Sequence, residues 1–191
     1  MLSQDQAIKI FTDSGALLKG HFKLTSGRHS NRYMQCAQVL QYPDYTEQLA
    51  QHLAERFRDE KIDYVVGPAM GGIIVSYEVA RQLKVPGIFC ERQDGKMCLR
   101  RGFTIKEGDR VLVVEDVVTT GGSVVEVMDV VREYGGVVVG VGVLVDRSGG
   151  KVNFGVPWEA VLTMDIESWE PDQCPLCQSG QGEAIKPGSR N

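Results

Sequence analysis

The sequence lacks any apolar run long enough to span a bilayer, and it lacks an excess of basic residues. A membrane-spanning helix needs about 20 consecutive apolar residues, and the apolar runs here are far shorter. The net charge is −4 and the isoelectric point is about 5.4, which argues against a general nucleic-acid binder. We therefore expect no membrane and no nucleic acid as partners.

A secretory signal and a disulfide framework are also missing. The first residues, MLSQDQAIKIF, contain no basic segment followed by an apolar one, so no secretory signal is expected. The cysteines number five and are scattered at positions 36, 90, 98, 174 and 177. This odd and dispersed set suits a reducing compartment better than paired disulfides, and we predict a cytoplasmic location.

Two common phosphate-binding fingerprints are absent. There is no Gly-Lys-Ser/Thr loop of the Walker type and no Gly-x-Gly-x-x-Gly dinucleotide fingerprint. What the chain does have is 191 residues with 42% hydrophobic content, enough for one α/β domain with a small appended part.

The stretch from Arg110 to Tyr134 organises the rest. Residues 111–114 form a continuous apolar run, as in a strand buried on both faces of a parallel sheet. Glu115 and Asp116 follow, then Val-Val-Thr-Thr-Gly-Gly-Ser. After that loop, apolar residues recur at helical spacing, at Val124, Val127, Met128 and Val131.

This order of strand, small-residue loop and helix predicts a phosphate site. The glycines allow a tight turn, and the first N–H groups of a helix lack internal partners and favour an anion. The two acids would repel phosphate, so they make sense as ligands of sugar hydroxyls or of a cation, and ribose 5-phosphate satisfies both halves. Taken alone, Thr-Thr-Gly-Gly-Ser fits an ordinary capped helix start equally well.

Two further loops are predicted at the same sheet edge. Residues 67–72, Gly-Pro-Ala-Met-Gly-Gly, lie between a strand at 62–66 and a helix, although such a loop is more often only a turn. Residues 146–150 follow a long apolar strand at 137–145, and Arg147 there offers a fork for a carboxylate. A surface ion pair is the commoner fate of an arginine. Strands alternating with helices from residue 43 predict a central parallel sheet flanked by helices.

A basic hairpin and a cysteine pair remain. Residues 92–103 contain Asp94-Gly95, a hairpin turn signal, and four cations within ten residues. The segment is either a solvated hairpin or a lid over an anionic ligand. Cys174 and Cys177 supply half of a tetrahedral zinc site. No histidine lies near them in sequence, so completion would need a second copy of the chain, and a redox pair is less favoured still.

The string around Glu115 to Ser123 resembles the phosphoribosyl pyrophosphate (PRPP) signature of type I phosphoribosyltransferases. Residues 24–30, Leu-Thr-Ser-Gly-Arg-His-Ser, resemble the N-terminal segment of the orotate phosphoribosyltransferases, which forms part of a hood over the pyrimidine. The resemblance covers nearly the whole chain. It implies a hood at 1–40, a catalytic core at 41–170 with a lid hairpin at 92–103, and a tail at 171–191.

The resemblance also implies a reaction and roles for residues. The reaction is the Mg²⁺-dependent transfer of ribose 5-phosphate from PRPP to orotate, by a homodimer whose basic loop reaches the neighbouring subunit's site. Lys96, Asp116 and Glu115 would be catalytic, Thr119 and Arg147 would bind orotate, and no residue would be a dedicated metal ligand. PRPP would be bound by Arg92, Lys96, Glu115, Asp116, Val117, Val118, Thr119, Thr120, Gly121, Gly122 and Ser123.

This sequence departs from the family pattern at three lysines. Thr25, Gly71 and Gln93 stand where lysines are expected, and Lys23, Arg100 and Arg101 are candidates to replace them. Two rival functions stay open: transfer to a purine or another pyrimidine, and a non-catalytic PRPP sensor that binds nucleic acid.

Overall fold

The computed structural model describes residues 1–24 and 26–187. Thr25 and residues 188–191 lie outside the described residues, so the missing hairpin lysine at Thr25 and the last four residues of the predicted tail are not addressed. Within the described part, no helix combines the length and apolar character needed to cross a membrane.

The centre of the fold is a six-stranded sheet in the order β5-β4-β3-β6-β7-β8. All neighbouring strands are parallel except β4 and β5, which form an antiparallel hairpin at one edge. This confirms the predicted parallel sheet. The strands are β3 (Tyr64–Pro68), β4 (Gly87–Gln93), β5 (Lys96–Leu99), β6 (Arg110–Val118), β7 (Val137–Asp146) and β8 (Trp158–Thr163).

Helices cover both faces of this sheet. One face carries α1, α3 and α4, and the other carries α5, so buried side chains form one apolar cluster on each face. The helices are α1 (Gln4–Asp13), α2 (Ala37–Leu40), α3 (Pro43–Arg56), α4 (Gly71–Leu83), α5 (Gly122–Glu133) and α6 (Pro175–Gln178).

The strand β6 shows how the sequence pattern produces the two clusters. Leu112 and Val114 belong to the cluster under α3 and α4, whereas Val111 and Val113 belong to the cluster under α5. All four are fully buried, because successive side chains of a central strand point to opposite covered faces. The predicted helical stripe of α5 is buried as well.

An antiparallel ribbon stands apart from the main sheet and forms the N-terminal hood. It consists of β1 (Leu17–Lys23) and β2 (His29–Met34). The C-terminal segment crosses the ribbon, with backbone bridges from Phe22 to Ile185 and from His29 to Trp169. The tail after residue 170 contains a short 3₁₀ turn and α6.

Several predicted bounds need correction. The sequence pattern predicts a helix over 43–60 and a strand over 160–166, whereas the structure has α3 at Pro43–Arg56 and β8 at Trp158–Thr163. The strand expected at 62–66 occupies Tyr64–Pro68. The largest shift is in β6, which continues to Val118 because its backbone stays paired with β7. Glu115 and Asp116 therefore lie within the strand instead of after it.

Candidate functional site

A cavity of about 300 Å³ opens where β6 ends and α5 begins. Its position at the carboxyl edge of a parallel sheet is where ligands bind in folds of this type. Nine of the residues assigned to PRPP line it, together with Val124 and Glu126; the nine are Arg92, Glu115, Val117, Val118, Thr119, Thr120, Gly121, Gly122 and Ser123.

The loop closes tightly onto the helix because of one glycine. Gly121 is the N-cap of α5 and has a φ of 81°, a left-handed conformation that side chains disfavour. A Cβ there would also lie 2.9 Å from the Phe154 ring and 3.0 Å from Val152. No side chain caps the helix. The first amides of α5, at Gly122 and Ser123, therefore stay available to an anion.

Glu115 and Asp116 are consecutive residues near the carboxyl end of β6, and their carboxyl groups lie close together beside Gly71 and Gly72. Glu115 is buried and lines the cavity, with its Oε1 accepting from the Asp116 amide at 3.0 Å. Asp116 accepts from the Val117 amide through Oδ1 at 2.8 Å. Among the ion pairs found in the described part of the chain, none involves either acid. The two carboxyl groups also share a side-chain hydrogen bond with each other, so no cation of the described chain neutralises the pair.

Burial raises the free energy of ionising both carboxyl groups at the same time. Burial raises the pKa of Glu115 to about 9, and the charge of Asp116 adds to that shift. Burial also raises the pKa of Asp116, while hydrogen bonds from its neighbours act in the opposite sense. The pair therefore holds a proton near neutral pH when no cation or hydroxyl ligand is present.

The loop at residues 67–72 contacts the acid pair directly. A Cβ on Gly71 would lie 2.1 Å from Asp116 Oδ2, and a Cβ on Gly72 would lie 3.3 Å from Glu115 Oε1. A Cβ on Gly67 would meet the Gly72 carbonyl at 2.3 Å. Gly71 also begins α4, so a second set of free amides faces the same edge. The family lysine is absent at Gly71 because, in this arrangement, a side chain there collides with Asp116.

The basic hairpin brings one cation to the cavity. Arg92 lines it, and its guanidinium lies 2.5 Å from a carboxylate oxygen of Glu126 in α5. It also donates to the carbonyl of Gly95 at 3.0 Å. The turn has left-handed backbone at Asp94 and Gly95, which confirms the predicted hairpin. Lys96 lies exposed at the start of β5, opposite Gln93, and is not among the residues that line the cavity.

The other two lid cations are occupied elsewhere. Arg100 and Arg101 both pair with Glu91, at 3.6 and 3.0 Å. Arg101 also stacks over the Phe89 ring, 5.6 Å from its centre. In this arrangement they support the hairpin. Arg92 is the cation of this hairpin that lines the cavity together with the loop at 119–123.

Arg147 follows β7 at the same edge and faces the hood. It is half-buried, which lowers the pKa of its guanidinium, and Cys36 and Tyr33 lie close enough to act in the opposite sense. Its Nε is buried and has no hydrogen-bond partner among the described residues. The preceding Asp146 points inward instead and accepts from the amides of Ser148 and Gly150. Among the described residues Arg147 forms no ion pair, so the alternative of a surface ion pair is not observed.

Sequence reasoning missed three neighbours of this site. Glu126 holds Arg92, and Tyr33 with Cys36 approaches Arg147 from the end of the ribbon. Cys36 also donates its thiol to the Asp116 carbonyl at 3.6 Å. None of the three carries a local signal, because each contact joins segments at least 30 residues apart in sequence.

Comparisons with known proteins agree on a single family. The sequence profile of the phosphoribosyl transferase domain matches residues 36–170. An orotate phosphoribosyltransferase of Desulforamulus reducens is 61% identical over 189 residues, covering 99% of this chain and 98% of that protein. An orotate phosphoribosyltransferase of Pelotomaculum thermopropionicum is also 61% identical over 189 residues, with 99% of each chain covered.

Solved structures agree with these relatives. The crystal structure of orotate phosphoribosyltransferase from Aeropyrum pernix superimposes with a TM-score of 0.65 at 28% identity, over 92% of this chain and 98% of that one. The structure of Leishmania donovani UMP synthase gives a TM-score of 0.70 at 27% identity, over 85% of this chain and 37% of that one.

Proposed function

Because the chain belongs to the phosphoribosyl transferase family, and within it to the orotate phosphoribosyltransferases, we propose that it transfers ribose 5-phosphate from PRPP to N1 of orotate. The products are orotidine 5′-phosphate and pyrophosphate, in pyrimidine biosynthesis. The observation that carries the proposal is the cavity in which the glycine-capped start of α5 adjoins the buried carboxyl of Glu115.

The 5-phosphate of the substrate fits the cavity wall formed by residues 119–123. Free amides at the start of α5 and the hydroxyls of Thr119, Thr120 and Ser123 are donors, and the helix dipole favours the phosphate charge. The shape imposed by Gly121 matters because the phosphate must approach the backbone closely. This wall supplies binding and orientation, not chemistry.

The acid pair fits the ribose. The two neighbouring carboxyl groups can accept hydrogen bonds from the 2- and 3-hydroxyls, with Glu115 lining the cavity and Asp116 next to Gly71. The reaction makes C1′ cationic as pyrophosphate departs. Negative charge fixed beside that carbon stabilises the transition state more than the ground state.

Mg²⁺ is the expected cofactor, and the donors present fit it. Mg²⁺ prefers oxygen ligands, keeps several waters and commonly binds one or two carboxylates together with substrate phosphates. Glu115 and Asp116 offer such oxygens beside both phosphate loops. When bound, the ion neutralises charge on the leaving pyrophosphate. Arg92 adds a fixed positive charge at the same place, and Lys96 would join it on closure of the hairpin.

Orotate would lie between Arg147 and the hood. The Nε of Arg147 is buried and has no partner among the described residues, and the carboxylate of orotate is the group that a planar fork binds through two parallel hydrogen bonds. Thr119 would orient the orotate ring from the side of the loop at 119–123. No general base is needed, because the orotate nitrogen can react as its anion.

We expect the active protein to be a homodimer. Three large apolar side chains stay exposed at the start of α4, with Met70 82%, Tyr77 68% and Ile74 44% accessible. A cluster of this kind beside the loop at 67–72 is typical of an interface. A dimer built on it would bring a second chain close to the cavity.

The test is a turnover measurement that follows orotate absorbance with PRPP and Mg²⁺. The protein should consume orotate only when PRPP and Mg²⁺ are both present, and the Asp116→Ala variant should be at least about tenfold slower. Replacement of orotate by adenine should give no product. Tight PRPP binding without turnover would contradict the proposal and favour a sensor.

A further inference from the structure

Two histidines of the hood meet the cysteine pair of the tail inside one chain. His21 lies in β1 and His29 begins β2, whereas Cys174 precedes α6 and Cys177 lies in its last turn. Their nearest nitrogen and sulfur atoms all lie within 4.8 Å of one another. The two cysteines therefore do not need a second copy of the chain, as sequence reasoning had suggested, to complete a set of four ligands.

The spacing of these atoms matches a tetrahedron. His21 Nε2 lies 3.0 Å from His29 Nδ1, 3.5 Å from Cys174 Sγ and 3.6 Å from Cys177 Sγ, and His29 Nδ1 lies 3.3 Å from Cys177 Sγ. A tetrahedral Zn²⁺ with ordinary bond lengths separates neighbouring ligand atoms by about 3.3–3.8 Å. Three of these four separations fall inside that range, the two nitrogens lie slightly closer, and the two remaining pairs of ligand atoms lie within 4.8 Å.

Hydrogen bonding orients one imidazole toward the centre. His21 Nδ1 lies 2.9 Å from the carbonyl of Gly182, so this nitrogen carries the proton and donates it. Nε2 then has one lone pair, yet three polar atoms crowd it. A single lone pair cannot serve three donors, but it can bind one metal ion. A backbone carbonyl that accepts from the other ring nitrogen is a common partner of a zinc-bound histidine.

The tail has little else to hold it. Of residues 171–187, Cys174 is the only one that the structure buries, and neither the 3₁₀ turn nor α6 contributes another buried residue. Hydrogen bonds from Arg28 to Ser168 and the bridge at Ile185 hold its flanks. A segment with so little apolar contact needs another source of order.

We propose that His21, His29, Cys174 and Cys177 form a structural Zn²⁺ site that fastens the C-terminal tail to the hood. Two thiolates and two imidazoles in tetrahedral array select zinc among common ions, and four protein ligands leave no open position for catalysis. Cys177 is exposed, which gives the ion a path into the site. The Cys-x-x-Cys spacing is one that zinc sites use.

The direct test measures metal in the intact, untagged protein purified under reducing conditions. Elemental analysis should find about one zinc per chain. After removal of zinc by a chelator, added Co²⁺ should produce the strong visible and near-ultraviolet absorption of tetrahedral thiolate cobalt. No zinc after growth with added zinc, together with no cobalt spectrum, would overturn the proposal.

Variants separate this site from other cysteines. Cys177→Ser and His29→Ala should each lower zinc content at least fivefold and weaken the cobalt spectrum, while Cys98→Ser on β5 should keep both. If a variant fails to fold, the cobalt spectrum of the intact chain still decides. Zinc retained at one per chain in Cys177→Ser would place the metal elsewhere and refute the assignment.

A stability readout links the ion to the tail. Chelation should lower the midpoint of thermal unfolding by about 4 °C or more and should open the tail to proteolysis near Lys186, with both effects reversed by Zn²⁺. Equal midpoints and equal cleavage with and without zinc would reject the fastening role. None of these readouts uses PRPP or orotate, so they stand independently of the proposed function.

Discussion

Arg147 is the residue whose surroundings point most directly to a ligand. Its side chain is half-buried, and its Nε is fully buried without a partner among the described residues. A buried donor without a partner costs free energy that a bound carboxylate recovers. The absent partner is therefore a reason to look for an anion here, beyond the resemblance to known enzymes.

Replacement of Arg147 should act on orotate more than on PRPP. Arg147→Ala removes a charge-assisted pair, so the KM for orotate should rise at least about tenfold, which corresponds to about 1.4 kcal/mol. Arg147→Lys keeps the charge but loses the planar fork, so its KM for orotate should lie between those of the wild type and Arg147→Ala. Steady-state kinetics with each substrate varied measures this. Arg132→Ala, at an exposed position near the end of α5, is the control. An unchanged KM for orotate in Arg147→Ala would remove the assignment of Arg147 to orotate binding.

Glu115 gives a prediction that depends on pH. Since burial raises its pKa from 4.5 to about 9, the folded protein binds this proton more tightly than the unfolded chain does. The stabilisation is complete below about pH 4.5 and is lost as pH rises toward 9. Glu115→Gln removes this loss, so at pH 8 the ligand-free variant should be more stable than the wild type by about 1 kcal/mol or more.

Denaturant unfolding at pH 5 and pH 8 measures that difference. The increase in the free energy of unfolding caused by Glu115→Gln should be small at pH 5 and large at pH 8. Glu133→Gln, at the exposed end of α5, should give no increase at either pH. The same Glu115→Gln protein should bind PRPP at least about tenfold more weakly, because its amide is a poorer acceptor for the hydroxyls and for Mg²⁺. A variant less stable than wild type at pH 8 would contradict the buried, protonated state.

At the scale of elements, the loop at 67–72 and strand β6 depend on each other. Gly71 has no room for a Cβ because Asp116 fills the space. Gly71→Ala should therefore displace Asp116, lower kcat/KM for PRPP at least about tenfold and cost about 1–3 kcal/mol of stability.

The matched control for that substitution is Gly142→Ala in β7. A Cβ there meets only ordinary contacts, at 3.5 Å from Leu53 and Phe57. Thermal unfolding and PRPP kinetics on both variants separate a general effect of alanine from a collision with Asp116. Equal unfolding midpoints and equal PRPP kinetics for the two variants would mean that the loop at 67–72 adjusts to the extra Cβ and that it does not fix the position of Asp116.

The elements with a clear period could be predicted from sequence, and those set by distant contacts could not. The stripe of α5 and the buried run of β6 are local patterns, and both are confirmed. The end of α3 at Arg56 and the extension of β6 past Glu115 depend on neighbouring backbone. Local residues do not encode that pairing.

The site divides in the same way. The loop at 119–123 was predicted because its residues are consecutive, and the structure places them around one cavity. The pairing of Arg92 with Glu126 and the meeting of His21 with Cys174 join segments that are far apart in sequence. A single sequence carries no signal for either contact.

For the whole molecule, the open question is whether one chain completes its own site. Arg92 already lies at the cavity of its own chain, whereas Lys96 is exposed and lies outside that lining. If Lys96 acts on the partner subunit, mixing inactive Lys96→Ala and Asp116→Ala proteins should restore activity. The expected yield is about a quarter of the wild-type rate, since half of the subunits form mixed dimers and one site in each is intact.

Subunit exchange must be verified in that experiment by native mass measurement of the mixed dimer. Each variant alone should stay inactive after the same treatment. Mixed dimers without activity would place Lys96 over its own subunit, in the manner of Arg92.

The account as a whole depends on the turn after β6 holding a sugar phosphate while the neighbouring acids hold the sugar. The most direct measurement is a crystal structure of the protein with PRPP and Mg²⁺. We predict the 5-phosphate on the amides of residues 121–123 and the ribose hydroxyls within hydrogen-bond distance of Glu115 and Asp116. A fully occupied PRPP bound elsewhere, with this cavity filled only by solvent, would contradict the account.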